Sequence, residues 1–214
     1  MIPSVMNDLV CLHFQAPSRI MDFSESHSDN LINRFFEACC DPRYPATIML
    51  VRLTSTDDTV VRIAFENERA VQHAEERFID WYESQEVDET SKFKSIDIYM
   101  NYSPCCGNSE GKQGCASRLK DWLEDKEFKV AIYYAWFYIN SHENSNQLAY
   151  VNALNELVNE RQVPVLKITN EIFQSLCTEC SVDVDVNCSY DEKLQYGNEG
   201  LERQIHSVPN LEAE

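Results

Sequence analysis

His73, Glu75, Cys105 and Cys115 are the residues whose types and spacing could do chemistry. His73 and Glu75 stand in HAEERF (73–78), at the start of a predicted helix. Cys105 follows Ser103-Pro104, and Cys115 opens a second predicted helix. Helix N-termini favour thiolates, because free N–H groups and aligned peptide dipoles lower the thiol pKa. One imidazole and two thiolates supply three of zinc's four tetrahedral positions and leave the fourth for water, as in catalytic sites. Zinc brings the pKa of such a water toward about 7, and a carboxylate that is not a ligand can then shuttle protons.

Two choices stay open on spacing alone. Cys105 and Cys115 are separated by residues 106–114, whereas Cys106 is adjacent to Cys105. Neighbouring residues of an extended chain point in opposite directions, so a vicinal pair seldom serves one metal ion. Cys115 is therefore favoured over Cys106, with Gly107, Gly111 and Gly114 as slack between the ligands. On an ideal helix, residues two apart diverge by about 200°, which aligns His73 with Glu76 better than with Glu75. The first turn is where that ideal fails, and both acids remain candidates.

The elements that must hold these residues follow from hydrophobic period. DNLINRFFEACCD (29–41) reads as a short helix capped by Asp29 or Asn30 and stopped by Pro42 and Pro45. ATIMLVRLT and TVVRIAFEN form a hairpin about STDD. VQHAEERFIDWYESQ is a helix with Ala74, Phe78 and Trp81/Tyr82 on one face. KFKSIDIYMNYS alternates as a third strand, and CASRLKDWLED is the next helix. FKVAIYYAWFYIN, nearly all apolar, suits a strand buried on both faces. NQLAYVNALNELVNERQ, VPVLKI and NEIFQSLCTEC then give helix, strand and a closing helix capped by Asn170. The order α-β-β-α-β-α-β-α-β-α predicts a layered α/β fold around one five-stranded sheet.

The chain has 214 residues and a formal net charge of −18. Phosphate contact needs Lys and Arg, so long polyanions are disfavoured, although a local basic patch can survive. The end of the chain is acidic, with Asp183, Asp185, Asp191, Glu192, Glu199, Glu202, Glu212 and Glu214 against Lys193 and Arg203. Most of the excess nevertheless lies elsewhere. No apolar run reaches a membrane span, and the N-terminus lacks a basic region followed by a long apolar stretch. The expected location is cytoplasmic and/or nuclear. Nine cysteines at irregular spacing suit metal ligands and buried thiols better than a disulfide framework.

HAEERF, YSPC (102–105), CASRLKDWL (115–123), FKVAIYYAWFYIN and VPVLKITNEIF together resemble, in the right order, the AID/APOBEC-like zinc-dependent cytidine deaminases. The likeness runs from about residue 30 to 180. It implies a three-layer cytidine-deaminase-like fold, with a mixed five-stranded sheet flanked by helices. It divides the chain into a loosely ordered extension (1–28), a deaminase domain (29–181) and an acidic, flexible tail (182–214). His73 and Cys105 would bind one zinc ion, completed by Cys115 or, less favoured, Cys106. Glu75, rather than Glu76, would be the proton shuttle. Asn67 would touch the sugar, Tyr102 would stack on the base where the family usually has Trp, and Ala74 and Ser103 would border it. Trp136, Phe137 and Tyr138 would form the loop that reads neighbouring nucleotides.

The activity so implied is deamination of cytosine in single-stranded DNA, or RNA, held weakly because of the acidic charge. Antiviral defence or DNA diversification is the role the family suggests. A deaminase of free nucleosides or nucleotides, an inactive zinc-stabilised scaffold and a purely structural interaction domain are the alternatives. Arg34, Arg43, Arg52 and Arg69 flank the expected pocket and are candidate phosphate contacts or simply solvated. Cys177-Thr178-Glu179-Cys180 and Cys39-Cys40 read as buried or incidental thiols.

Overall fold

The computed structural model describes residues 25–41, 43–68, 71–85, 93–107, 113–138 and 147–182. Its ten elements are α1 (Glu25–Cys40), β1 (Ile48–Ser55), β2 (Val60–Glu66), α2 (Ala74–Glu83), β3 (Phe93–Tyr102), α3 (Cys115–Trp122), β4 (Lys129–Trp136), α4 (Gln147–Arg161), β5 (Val165–Lys167) and α5 (Asn170–Glu179). Their order is the one the sequence pattern predicts.

The sheet runs β2-β1-β3-β4-β5. β1 is antiparallel to both β2 and β3, whereas β3–β4 and β4–β5 are parallel. A hairpin suffices for the first pair, and the turn closes with Ser55 N donating to Thr59 O at 2.9 Å. Asp58 takes the left-handed conformation there, φ 68°, which Asp tolerates better than most residues. Parallel neighbours need crossovers, supplied by α3 and α4.

Alternation along β1 separates two cores. Met49, Val51 and Leu53 face Phe78, Tyr82, Leu119, Trp122, Val151 and Leu154 of α2, α3 and α4. Ile48 and Leu50 face Phe35 and Phe36 of α1 and Phe173 and Leu176 of α5. The result is a mixed sheet between two helical layers. Each fully buried large apolar side chain contributes roughly 1.5–3 kcal/mol. The sheet thus fixes where the N-termini of α2 and α3 come out.

Three expectations are corrected. α1 starts at Glu25, inside the stretch 1–28 expected to be an extension, so Asp29 and Asn30 lie within the helix and do not cap it. Such residues cost only a few tenths of a kcal/mol in a helix interior, and the packing of Phe35, Phe36 and Ala38 outweighs that. The cap of α5 is Thr169, whose hydroxyl accepts from Ile172 N at 3.3 Å, and not Asn170. β5 pairs only over Val165–Lys167. The rest of the expected extension and tail, residues 1–24 and 183–214, lies outside the described residues. Among the described residues no helix is long and apolar enough to cross a membrane.

Candidate metal centre and active site

His73 is the N-cap of α2, extended at φ −78° and ψ 159°. Its backbone N–H donates to Glu76 Oε2 at 2.6 Å, and Glu76 Oε1 pairs with Arg118 Nη1 at 2.5 Å. Glu76 is thus occupied in capping the helix and bridging to α3. Glu75 turns the other way and is 2% exposed. Its Oε2 is buried without a hydrogen-bond partner among the described residues. Burial, reinforced by the charge of Cys105, pushes the Glu75 carboxyl up to about 7.

α3 starts at Cys115, whose N–H donates to Cys105 Sγ at 3.4 Å, while Ala116 N donates to Cys105 O at 3.0 Å. The helix start therefore grips Cys105 through both side chain and backbone. His73 Nδ1 lies 3.2 Å from Cys115 Sγ and 3.6 Å from Cys105 Sγ. The three ligand atoms all lie within 4.8 Å of one another.

A tetrahedral zinc with ordinary bond lengths requires separations of about 3.6 Å for N···S and about 3.8 Å for S···S. The His73–Cys105–Cys115 set fits such an ion. Electrostatics point the same way. A hydrogen bond from Cys115 outweighs burial, and with His73 and the N–H groups of Cys115 and Gly107 it holds the Cys105 thiol down to about 4. Beside that thiolate the Cys115 thiol is pushed far up, chiefly by its bond to Cys105 and then by burial. The same sulfur lifts His73 to about 9 against the effect of burial. Two thiolates and a carboxylate this close ionise together only with a cation between them. Cys106 stands outside the trio, half-buried, with its sulfur toward the carbonyl of Gly107 at 3.8 Å.

Beside these helix starts lies an open cleft of about 360 Å³, lined among others by Tyr44, Thr47, Asn67, Tyr102, Phe137 and Tyr138. Two asparagines hold its wall. Asn101, fully buried, accepts from Ile48 N at 2.8 Å and donates to Ala46 O at 2.9 Å. Asn67 Oδ1 accepts from Thr47 N at 3.0 Å, and its Nδ2 takes no protein partner among the described residues. Tyr102, the last residue of β3, donates its hydroxyl to Tyr44 O at 2.9 Å, with its ring edge-on to Tyr138 at 6.1 Å. Tyr138 also packs against the Cys105–Cys115–Tyr150 cluster, so it joins cleft to metal centre. Ser103 Oγ accepts from Tyr138 N at 3.0 Å and fixes that position.

The expected site residues are therefore divided. Asn67, Tyr102, Phe137 and Tyr138 meet at the cleft. Trp136 does not. It ends β4, is 7% exposed, packs with the α1/α5 core and donates Nε1 to Cys39 O at 3.0 Å. An indole large enough to fill that core, with a carbonyl in reach, is satisfied there and leaves the cleft to its two neighbours. Ala74 is also fully buried, its methyl in the opposite core.

Arg34 is bound bidentately to Glu66, with Nη1 to Oε2 at 2.9 Å, and Arg52 is held by Asp97 at 2.8 Å and by Glu179. Both are committed to carboxylates. Arg43 is exposed, 3.9 Å from Asp41, and Arg69 lies outside the described residues. Cys39 and Cys177 are buried, as the pattern implied, whereas Cys180 is half-buried and Cys40, expected as a thiol, is disulfide-bonded. Tyr44, Asn101 and Tyr150 escaped sequence reasoning. Of these, only Asn101 carried a signal, as a polar residue closing the apolar alternation of β3.

A family model of the APOBEC3 cytosine deaminase domain matches residues 48–194 of the chain. No curated protein gives a significant sequence match. Among solved structures, the C-terminal deletion mutant of Aspergillus oryzae Rib2 deaminase in complex with DARIPP at pH 6.5 is 13% identical with a TM-score of 0.40, covering 78% of this chain and 96% of that one. The same mutant at pH 4.6 is 12% identical at 0.38, with the same coverage.

Proposed function

This chain belongs to the APOBEC3 cytosine deaminase domain family, and from that premise we propose that it hydrolyses cytosine to uracil in single-stranded polynucleotide, DNA before RNA. One zinc ion would be held by His73, Cys105 and Cys115. The observation that carries the reading is Glu75, a buried carboxylate with one oxygen unpaired among the described residues, beside that ligand set. A core position has no use for such a group, which carries the full cost of desolvation.

Zinc there would supply the Lewis acidity that makes water a nucleophile near neutral pH. The net reaction adds water across C4 of cytosine and releases ammonia. Glu75 takes one proton from the attacking water at its free oxygen and gives it to the ring nitrogen beside C4. It then takes a second from the hydroxyl formed at C4 and gives it to the departing amine. A carboxyl pushed up toward neutrality can do both, because its two protonation states are close in energy. Tyr102 offers a ring face to a base that has left its stack, with its hydroxyl tethered to Tyr44 O. Asn67, held by Thr47, keeps its Nδ2 group for the sugar. Phe137 and Tyr138 stand where flanking bases would lie.

A second reading, deamination of free cytidine or its nucleotides, is favoured by the commitment of Arg34 and Arg52 to carboxylates and by the net charge of −18. With those two arginines committed and the charge acidic, polynucleotide binding should be weak and strongly salt-sensitive. The test is uracil formation in an end-labelled single-stranded oligonucleotide at low and moderate salt, with free cytidine alongside. Product from the oligonucleotide supports the first reading, and product from cytidine alone replaces it with the second. No product from either, with one zinc per chain by elemental analysis, leaves a zinc-stabilised binding protein.

A further inference from the structure

The two cysteines that meet His73 are separated by residues 106–114, too long a run to set their distance by itself. The two ends of that run meet at a neck. Gly107 and Gln113 form an isolated antiparallel bridge, which brings the two ends of the excursion side by side. Above the bridge, Gly114 is buried against the Cys106–Gly107 peptide. A Cβ on Gly114 would lie 2.5 Å from the Cys106 carbonyl oxygen and closer still to its carbon and to the Gly107 nitrogen. Those atoms are backbone, so no side-chain adjustment relieves the clash. Gly114 has φ −74° and ψ 160°, a conformation open to any residue. Glycine is needed there for close approach and not for a left-handed turn. Gly107, at φ 99°, is needed for its backbone.

Across the neck the chain continues into the contacts that present the sulfurs. Cys115 N–H reaches Cys105 Sγ, Ala116 N–H reaches Cys105 O, and Cys115 stands at the start of α3. From this geometry we propose that the neck of Cys106–Gly107 against Gln113–Gly114, and not the chain between, fixes the separation of Cys105 and Cys115, with Gly114 the positioning residue that sets metal affinity. The part concerning affinity rests on the zinc reading above. The part concerning spacing does not. One consequence is that the length between the cysteines is free to vary, provided that the neck closes.

The test compares three full-length proteins: wild type, Gly114→Ala, and a chain in which residues 108–112 are exchanged for a two-residue Asn-Gly turn, which closes an antiparallel pair. Zinc affinity is read by chelator competition, and amide exchange of Cys115 and Ala116 is read in metal-free protein. Gly114→Ala should bind zinc about 10–100-fold more weakly, the range for lost support around metal ligands, and lose protection at both amides. The shortened chain should keep both properties within about threefold. Wild-type affinity and protection in Gly114→Ala, or loss of either in the shortened chain with its other amides still protected, overturns the proposal. Should Gly114→Ala fail to fold, the shortened chain alone decides between the two outcomes. A wild type that takes up no zinc while these amides stay protected defeats the zinc reading and supports the spacing claim.

Discussion

His73 Nδ1 lies 3.2 Å from Cys115 Sγ, although the two residues are 42 positions apart in sequence. They meet because α2 and α3 pack on one face of the sheet and begin side by side, with Phe78 and Trp122 in edge-to-face contact at 5.1 Å behind them. At the start of α3 the N–H groups of Cys115 and Ala116 are turned onto Cys105. The grouping of His73, Cys105 and Cys115 is a product of helix packing, and Glu75 is placed by the same turn of α2 that begins at the histidine.

Glu75 and Glu76 should separate cleanly under mutation. Glu75→Gln removes the proton carrier while keeping the shape, and should lower kcat by about 10²–10⁴ with zinc content unchanged. Glu76→Gln retains the cap on His73 N, since Gln serves at that position as well as Glu. It should keep most of the activity. Uracil release and metal analysis on the two purified variants decide this, and a reversed order would move the catalytic role to Glu76.

Replacing a ligand should release the ion, and replacing a bystander should not. Cys115→Ser is expected to hold no zinc after dialysis against a chelator, whereas Cys106→Ser should match wild type. The basis is geometric, because Cys106 lies outside the group of atoms within 4.8 Å. Full metal content in Cys115→Ser together with loss in Cys106→Ser would transfer the ligand role.

The order of all ten elements was legible from apolar period, since each strand and helix buries one face or two and shows it. The trio was also legible as a candidate set, because HAEERF sits at a helix start, SPC directly follows β3 and Cys115 opens a helix. What could not be read was the direction a side chain takes once two cores compete for it. Trp136 looked like Phe137 and Tyr138 in sequence, yet the carbonyl of Cys39 drew it into the far core. Arg34 and Arg52 looked available for phosphate, and their carboxylate partners Glu66 and Asp97 are 32 and 45 positions away. Gly114 read as slack, and the close approach that requires it depends on a chain segment brought back from seven positions earlier.

Tyr102 separates a ring from a hydroxyl. Tyr102→Phe keeps the face offered to a base and loses the bond to Tyr44 O, so kcat/KM on an oligonucleotide should fall by no more than about fivefold, one net hydrogen bond. Tyr102→Ala removes the face and should cost about 1–3 kcal/mol of stacking, or roughly 5–150-fold. Equal rates for the alanine variant and wild type would remove Tyr102 from substrate contact.

Glu179 should make part of the stability pH-dependent. Burial raises its carboxyl, but Arg62 at 2.7 Å and Arg52 at 3.3 Å more than offset this and hold it below the ordinary glutamate value of 4.5. The unfolded chain therefore binds the proton more readily than the folded one. The contribution is complete above about pH 5 and is lost as pH falls through the folded pKa. Glu179→Gln should lower stability at pH 7 by up to about 1 kcal/mol, since solvent partly screens the pairs, or about 2–4 °C in Tm. Acid also discharges a thiolate metal site, so both proteins are compared metal-free. Denaturant melts from pH 7 to pH 3.5 should show the difference between them shrinking toward zero, and a difference constant across that range would rule out the Glu179 carboxylate as its source.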